Sequence, residues 1–125
     1  MRIVLVSSGG TARHLAEELS RQDDVSILHA GAEGREELDK LDVEVLSGEG
    51  NDADALRRAG ADKADYVVAC SRSDDMNLLA CLTARQLGAA KTICFDSKEE
   101  YARTFGAHDG AGTAGAPALG IDHMV

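Results

Sequence analysis

The sequence predicts a single-domain α/β protein built on a doubly wound parallel sheet. Short apolar runs alternate with stretches whose apolar residues recur at helical spacing, which is the order of a β-α-β chain. Aromatic residues form only 3% of the 125 residues and tryptophan is absent, so the core must come from Val, Ile, Leu and Ala, as in parallel strands covered by helices. The length is that of one domain, and right-handed crossovers give such a sheet its doubly wound form.

The first half of the chain contains three predicted strands, each followed by a helix. We expect strands over residues 2–6, 25–28 and 43–46 and helices over residues 11–21, 35–41 and 53–59. The third strand alternates polar and apolar residues, which is typical of an edge strand. Asp52 is placed to cap the third helix, and Gly60 follows that helix where a stop is expected.

The second half continues the alternation. We expect strands over residues 66–70, 92–95 and 121–125 and helices over residues 75–87 and 99–105. Ser73 or Asp74 is expected to cap the longer helix, which Gly88 ends. Residues 106–120 are rich in Gly and Ala, contain the chain's only proline and lack an apolar period. They are predicted to form a mobile loop within one domain that spans residues 1–125.

Composition argues against several classes of function. A net charge of −9 without a basic cluster argues against binding to DNA or RNA. No apolar segment is long enough to span a membrane and no signal peptide is visible, so we expect a cytoplasmic chain that is not itself membrane-spanning. Cys70, Cys81 and Cys94 are too far apart for a C-x-x-C pair and are expected to be reduced and mostly buried. The histidines lack metal-ligand spacing, so no metal site is predicted.

The turn after the first strand is similar to a phosphate-binding loop. In a Rossmann-like fold this turn carries the pattern G-x-G-x-x-G/A, whose second glycine lets the backbone approach a pyrophosphate. The three positions here are Ser7, Gly9 and Ala12, so only the first glycine is replaced. We expect the turn to offer backbone amides to an anion where a helix begins, the alternative being a glycine-rich turn without a ligand. Its residues are Ser7, Ser8, Gly9, Gly10, Thr11 and Ala12.

The loops after the second, third and fourth strands reach the same rim of a parallel sheet. His29 stands where an acidic residue takes the ribose hydroxyls of an adenosine, and an imidazole can bind a hydroxyl or a phosphate; a plain surface histidine is the alternative. The third loop offers close backbone approach, or serves only as a turn and helix cap. The fourth loop carries hydroxyls and Arg72, which could meet a phosphate or ribose. The candidate contacts in these loops are His29, Gly48, Asn51, Asp52, Cys70, Ser71 and Asn77.

No pattern typical of catalysis is visible. The chain has neither a plausible Ser-His-Asp arrangement nor a Tyr-x-x-x-Lys motif, and its carboxylates show no pair set apart from the solvated ones. Cys70 follows a strand near the rim, but a buried structural thiol explains it more simply than a reactive one. No catalytic residue is predicted, and the chain is not expected to be an enzyme.

Several segments together resemble one family. Residues 45–52 are similar to a strand followed by G-D-x-T-D, residues 56–64 to L-x-x-A-G-x-x-x-A-D, and residues 74–81 to a D-x-x-N helix start. Residues 100–105 are similar to an E-Y-A-x-x-F helix, and residues 120–123 to a G-I-D strand. The family with these motifs is that of the TrkA N-terminal, or RCK, domains, which regulate the conductance of potassium channels and transporters.

The resemblance implies a regulatory domain of a potassium uptake transporter or channel, with NAD(H) or an adenine nucleotide as ligand and ligand-dependent gating. It implies a homodimer or higher homo-oligomer and a membrane potassium transporter or channel subunit as partner, with the domain at the inner face of the membrane. Four positions depart from the family pattern: Ser7 replaces Gly, His29 replaces Asp, Glu49 replaces Asp, and Phe95 stands where Arg is common. The alternatives are a dimerisation scaffold that has lost its nucleotide and a small NAD(P)-dependent oxidoreductase.

Overall fold

The computed structural model describes residues 1–95 and the backbone of strand residues 123–124. Within these ranges the chain forms a six-stranded sheet in the order β3-β2-β1-β4-β5-β6, and every neighbouring pair runs parallel. The strands are β1 Arg2–Ser8, β2 Asp24–Ala30, β3 Glu44–Ser47, β4 Tyr66–Ala69, β5 Lys91–Cys94 and β6 His123–Met124. The predicted Rossmann-like, doubly wound parallel sheet is confirmed, and β3 is the predicted edge strand.

Four α-helices and one 3-10 turn connect the strands in the described ranges. They are α1 Arg13–Leu19, α2 Arg35–Asp39, α3 Ala53–Arg58, α4 Asp74–Leu87 and the 3-10 turn Ala61–Lys63. The helix predicted over residues 99–105 and the loop predicted over residues 106–120 lie outside the residues that the structure describes.

The first helix is shorter than predicted at both ends. Thr11 donates its backbone N–H (3.3 Å) and its hydroxyl (2.8 Å) to the carbonyl of Ser8, which closes a turn before the helix begins at Arg13. At the other end, the amides of Gln22 and Asp23 both bind the carbonyl of Leu19. Local hydrogen bonds that favour a turn therefore replace the first two and the last two residues of the helix expected from hydrophobic spacing.

The sheet separates two apolar cores, and β1 contributes to both. Val4 and Val6 face the core under α3 and α4, whereas Ile3 and Leu5 face the core under α1 and α2. These four side chains are at most 3% exposed. A strand that is buried on both faces has an uninterrupted apolar sequence, as residues 3–6 do. Only the two ends of such a strand reach the surface of the domain. The two cores thus fix where the loop after β1 appears.

The helix caps expected from the sequence form as predicted. The carboxylate of Asp52 accepts from the amides of Asp54 (3.0 Å) and Ala55 (3.3 Å) at the start of α3. The hydroxyl of Ser73 accepts from the amide of Met76 at 3.1 Å, so Ser73 caps α4. Each bond satisfies an amide that has no partner within its own helix.

Removing the cap of α3 should lower stability. Asp52→Ala leaves the amides of Asp54 and Ala55 to water and should reduce the free energy of unfolding by about 1 kcal/mol, measured by urea denaturation. Asp52→Asn is the control, because an asparagine side chain caps about as well and should keep most of the stability. Equal losses in the two variants would show that the carboxylate acts through its charge rather than as a cap.

Candidate functional site

The carboxyl ends of the parallel strands bring the predicted loops to one edge of the sheet. Ser7 pairs in register with His29 of β2, and Val6 pairs with Ala69 of β4, so the segments after β1, β2 and β4 start side by side. β3 joins them through the pairing of Ser47 with His29. We call this edge the rim. It is where ligands bind in open α/β sheets of this topology.

The turn after β1 is closely packed against the segment that follows β2. Gly9 has a φ of +56°, a left-handed conformation that favours glycine. Gly34 also has a positive φ, of +85°, and a Cβ at Gly34 would collide with the carbonyl oxygen of Gly9. The sequence reasoning missed Gly34, although its place just before α2 was a signal. Two glycine backbones therefore meet at the rim, and this contact sets the shape of the turn.

The two departures from the phosphate-loop pattern are bonded to each other. The Ser7 hydroxyl lies 2.8 Å from Nδ1 of His29, and Nε2 of His29 lies 2.7 Å from the carbonyl oxygen of Glu33. Because a carbonyl only accepts, Nε2 carries a proton, and a neutral imidazole then accepts from Ser7 through Nδ1. His29 is fully buried and Ser7 is 1% exposed. His29 thus supports the loops from beneath, and a contact with ribose would require one of these bonds to break.

Asn77 is buried at the start of α4 and joins two loops. Its Oδ1 accepts from the amide (2.8 Å) and the hydroxyl (2.7 Å) of Ser71, and its Nδ2 donates to the carbonyls of Ser71 (3.0 Å) and Phe95 (2.7 Å). All the hydrogen-bonding positions of the amide are used. The side chain therefore fixes the segment after β4 against the end of β5, and the Ser71 hydroxyl faces inward to it.

An ion pair crosses the rim above the turn after β1. Arg72 donates to both carboxylate oxygens of Glu33, with distances of 2.8 and 2.9 Å, and its backbone amide donates to the Ser8 hydroxyl at 2.9 Å. The guanidinium lies directly over Gly9, which is buried although it lies in a loop of the rim. The hydrogen bonds and charge of Arg72 hold the pKa of Glu33 below its ordinary value. This carboxylate is therefore ionised at neutral pH.

The loop after β3 packs more closely on the core than the sequence predicts. A Cβ at Gly50 would lie 2.5 Å from Cγ1 of Val6, and one at Gly48 would lie 2.9 Å from Cδ1 of Leu28. The close approach that these glycines permit is thus to the core. Asn51 and Asp52 are exposed at the rim, and Asp52 is engaged as the cap of α3.

Burial removes the reactivity of Cys70. The thiol is buried at the end of β4, and this burial raises its pKa to about 12. Because the thiolate is the nucleophile, the side chain is inert near neutral pH. The expectation that Cys70, Cys81 and Cys94 are buried is confirmed.

Open space remains on both sides of the turn after β1. Gly10 and Thr11 are exposed, and nothing lies within 4 Å of the position that a Cβ of Gly10 would occupy. A depression of about 630 Å³ lies beyond the ends of β2 and β3, between Gly31 and Ser47. Another, of about 530 Å³, lies between Thr11, His14 and Phe95. The exposed backbone of Gly10 and Thr11 thus lies at the same end of the sheet as both depressions.

Among residues 1–95 and 123–124, no group of three or more His, Cys, Asp or Glu side chains is placed to hold a metal ion. None of the helices in the described part of the chain has both the length and the hydropathy needed to cross a bilayer.

The topology and the glycine-containing turn at the carboxyl edge define a Rossmann-like α/β domain. The model of the TrkA-N domain family matches residues 3–116, and the chain belongs to that family. This confirms the family resemblance deduced from the motifs.

Two related proteins are much longer than this chain. The chain is 35% identical over 101 residues to "Trk system potassium uptake protein TrkA homolog" of Archaeoglobus fulgidus, covering 81% of this chain and 23% of that protein. It is 33% identical over 89 residues to "Trk system potassium uptake protein TrkA" of Halomonas elongata, covering 70% of this chain and 20% of that protein. The chain thus spans about a quarter or less of the length of these relatives.

Solved structures share the fold. A structure titled "GsuK channel bound to NAD" superimposes with a TM-score of 0.69 at 20% identity, covering 100% of this chain and 21% of that chain. "Crystal Structure of the GsuK RCK domain" superimposes with a TM-score of 0.68 at 20% identity, covering 100% of this chain and 26% of that chain. At this level of identity the likeness establishes the fold.

Truncating Asn77 should destabilise the domain. Asn77→Ala leaves the amide of Ser71 and the carbonyl of Phe95 without their partner, which should reduce the free energy of unfolding by about 2–3 kcal/mol in urea denaturation. Asn51→Ala is the matched control, because that asparagine is exposed, and its replacement should change stability by no more than about 0.5 kcal/mol. Similar losses in both variants would contradict the bonding role of Asn77.

The raised pKa of Cys70 predicts a loss of stability in alkali. Above about pH 8.5 the thiol of an unfolded chain ionises, whereas the folded chain keeps its proton up to about pH 12. Unfolding then releases a proton, so stability falls as pH rises, by up to about 1.4 kcal/mol per pH unit. Urea denaturation between pH 8 and 10 should show a steeper decline for the native sequence than for Cys70→Ala. Parallel slopes would show that the thiol ionises equally in both states.

Proposed function

We propose that the chain is a regulatory domain of a potassium uptake transporter or channel and binds NAD(H) or an adenine nucleotide at the rim. The observation that carries this proposal is membership of the TrkA-N family together with an open, glycine-lined turn at the carboxyl end of β1. Relatives are named as Trk potassium uptake proteins, and a structure with this fold is titled as bound to NAD.

The exposed backbone at Gly10 and Thr11 is suited to the phosphates of such a ligand. Gly10 carries no side chain to block an oxygen, and the space above it is open. The depression between Gly31 and Ser47 lies at the same edge and is large enough for a nucleoside. A nucleotide is therefore expected to place its phosphates on the turn after β1 and its adenosine beyond β2 and β3.

Regulation follows if the ligand distinguishes two arrangements of the assembled protein. A ligand shifts such an equilibrium only through its different affinities for the two arrangements. We expect the domain to act as a homodimer or higher homo-oligomer in the cytoplasm, at the inner face of the membrane, where a potassium transporter or channel subunit is its partner. In this role the chain binds and signals, and no catalytic step is assigned to it.

The Ser7–His29 pair favours one alternative, a family scaffold that has lost its ligand. The position of the expected acidic residue is taken by a buried imidazole whose two nitrogens are already bonded. A scaffold of this kind would keep the fold and its oligomer contacts without responding to nucleotides. The oxidoreductase alternative rests on the fold alone, and this fold serves many functions.

A substitution at Gly10 tests nucleotide binding without disturbing the free protein. Gly10→Ala adds one methyl group into open space at a residue without a positive φ, so the melting temperature of the free domain should not fall. Calorimetric titration with NAD, NADH, ATP, ADP and AMP should show at least one binder for the native chain and at least about tenfold weaker binding for the variant, because the methyl group occupies the approach of the phosphates.

Ser20→Ala, at the end of α1 and away from the rim, provides the control and should bind as the native chain does. A native chain that binds none of the five nucleotides would overturn the proposed ligand and favour the scaffold. Binding that is equally strong in the native chain and in Gly10→Ala would place the ligand away from this turn.

A further inference from the structure

The guanidinium of Arg72 covers Gly9, the residue next to the exposed backbone of Gly10 where the ligand's phosphates are expected. A Cβ at Gly9 would lie 2.5 Å from both Cζ and Nη2 of Arg72, which shows how closely the side chain covers the backbone there. The amide of Arg72 is fixed to the Ser8 hydroxyl, so the residue is anchored at the turn by its own backbone. Arg72 therefore belongs to the rim in both position and attachment.

Glu33 holds this guanidinium in a geometry that a phosphate also satisfies. The two N–H···O bonds are 2.8 and 2.9 Å long and run from the two terminal nitrogens to the two carboxylate oxygens. Paired oxygens of a carboxylate and of a phosphate fit the same guanidinium fork. Both side chains are exposed, 58% for Arg72 and 71% for Glu33. An exposed pair is weak, so a stronger anion can replace one partner.

The charges near the turn make Arg72 the complement of an anionic ligand. Glu33 and Glu49 carry negative charge on the neighbouring loops, and the whole chain has a net charge of −9. A phosphate that enters such a rim needs a cation beside it, and a guanidinium provides a charge-assisted bond with defined geometry. Arg72 provides that cation over Gly9, next to the exposed backbone of Gly10 that the phosphate is expected to approach.

We propose that Arg72 is a phosphate ligand of this site and that Glu33 is its internal competitor, so that nucleotide binding exchanges the Glu33 carboxylate for phosphate oxygens on the guanidinium. This inference rests on the nucleotide-binding function proposed above. The exchange releases Glu33, which lies in the segment between β2 and α2 and is followed by Gly34 packed on Gly9. Ligand binding thereby changes the hydrogen bonds of the segment that leads into α2, and in this way it is linked to that helix.

Two single variants and their combination test the exchange, with calorimetric titration of ADP and NAD as the measurement. Arg72→Gln should weaken binding at least about tenfold, because the charged fork is lost. Glu33→Gln should tighten binding about twofold to fivefold, because the guanidinium no longer has an anionic partner to give up. In the Arg72→Gln background, Glu33→Gln should no longer tighten binding, because the competition requires both residues.

Variants with the same change of charge elsewhere are the controls. Arg57→Gln breaks an exposed ion pair with Asp54 on α3, and Glu44→Gln removes an exposed carboxylate from the amino end of β3, away from the rim; both should leave affinity within about twofold of native. Because Arg72 and Glu33 are exposed, all variants should fold, and melting curves verify this.

Each outcome separates the inference from the function on which it rests. If Gly10→Ala weakens binding but Arg72→Gln binds as Arg57→Gln does, the nucleotide site stands and the exchange is overturned. If Glu33→Gln tightens binding equally with and without Arg72, charge repulsion replaces exchange as the explanation, and the inference is again overturned. If neither the native chain nor Glu33→Gln binds any nucleotide, both proposals fail.

Discussion

The parallel pairing of β1 with both β2 and β4 is the constraint on which the rest of the structure depends. β1 is buried on its two faces and bonded on its two edges, so it cannot move without disturbing both cores. Its carboxyl end therefore delivers the turn at Gly9 to a fixed position between the loops of its neighbours. Packing in the interior thus determines which polar groups meet at the surface, and the rim is a consequence of the sheet order.

Most of the fold in the described ranges could be predicted because its signals are local. Apolar runs, edge alternation in β3 and the caps Asp52 and Ser73 each depend on residues close together in the sequence. The limits of α1 could not be predicted, since hydrogen bonds to Ser8 and Leu19 override the apolar period. The 3-10 turn Ala61–Lys63 was missed because so short an element has no hydrophobic period to detect.

The position of the site could be predicted from the sequence, but the contacts between its side chains could not. Strand order identified the loops, because the carboxyl ends of parallel strands share an edge, and Arg72 was among the residues singled out. Its partner Glu33 lies 39 positions away, and a pairing across two loops leaves no trace in the local pattern. The same holds for Ser7 and His29, whose bond gives two separate departures from the family pattern a common physical cause. The sequence predicts Asn77 to be a ligand contact, whereas in the structure all the hydrogen-bonding positions of its amide are used within the protein.

The Ser7–His29 bond also has a consequence for how this domain could have changed over evolutionary time. A glycine at position 7 alone would leave Nδ1 of a buried imidazole without a donor, and an aspartate at position 29 alone would be too short to reach Glu33 and would leave its carbonyl oxygen without a donor. Either single step passes through a protein with an unsatisfied buried polar group. The two positions are therefore expected to covary among relatives, with the serine and the histidine gained or lost together, so that each lineage keeps one complete arrangement beneath the rim.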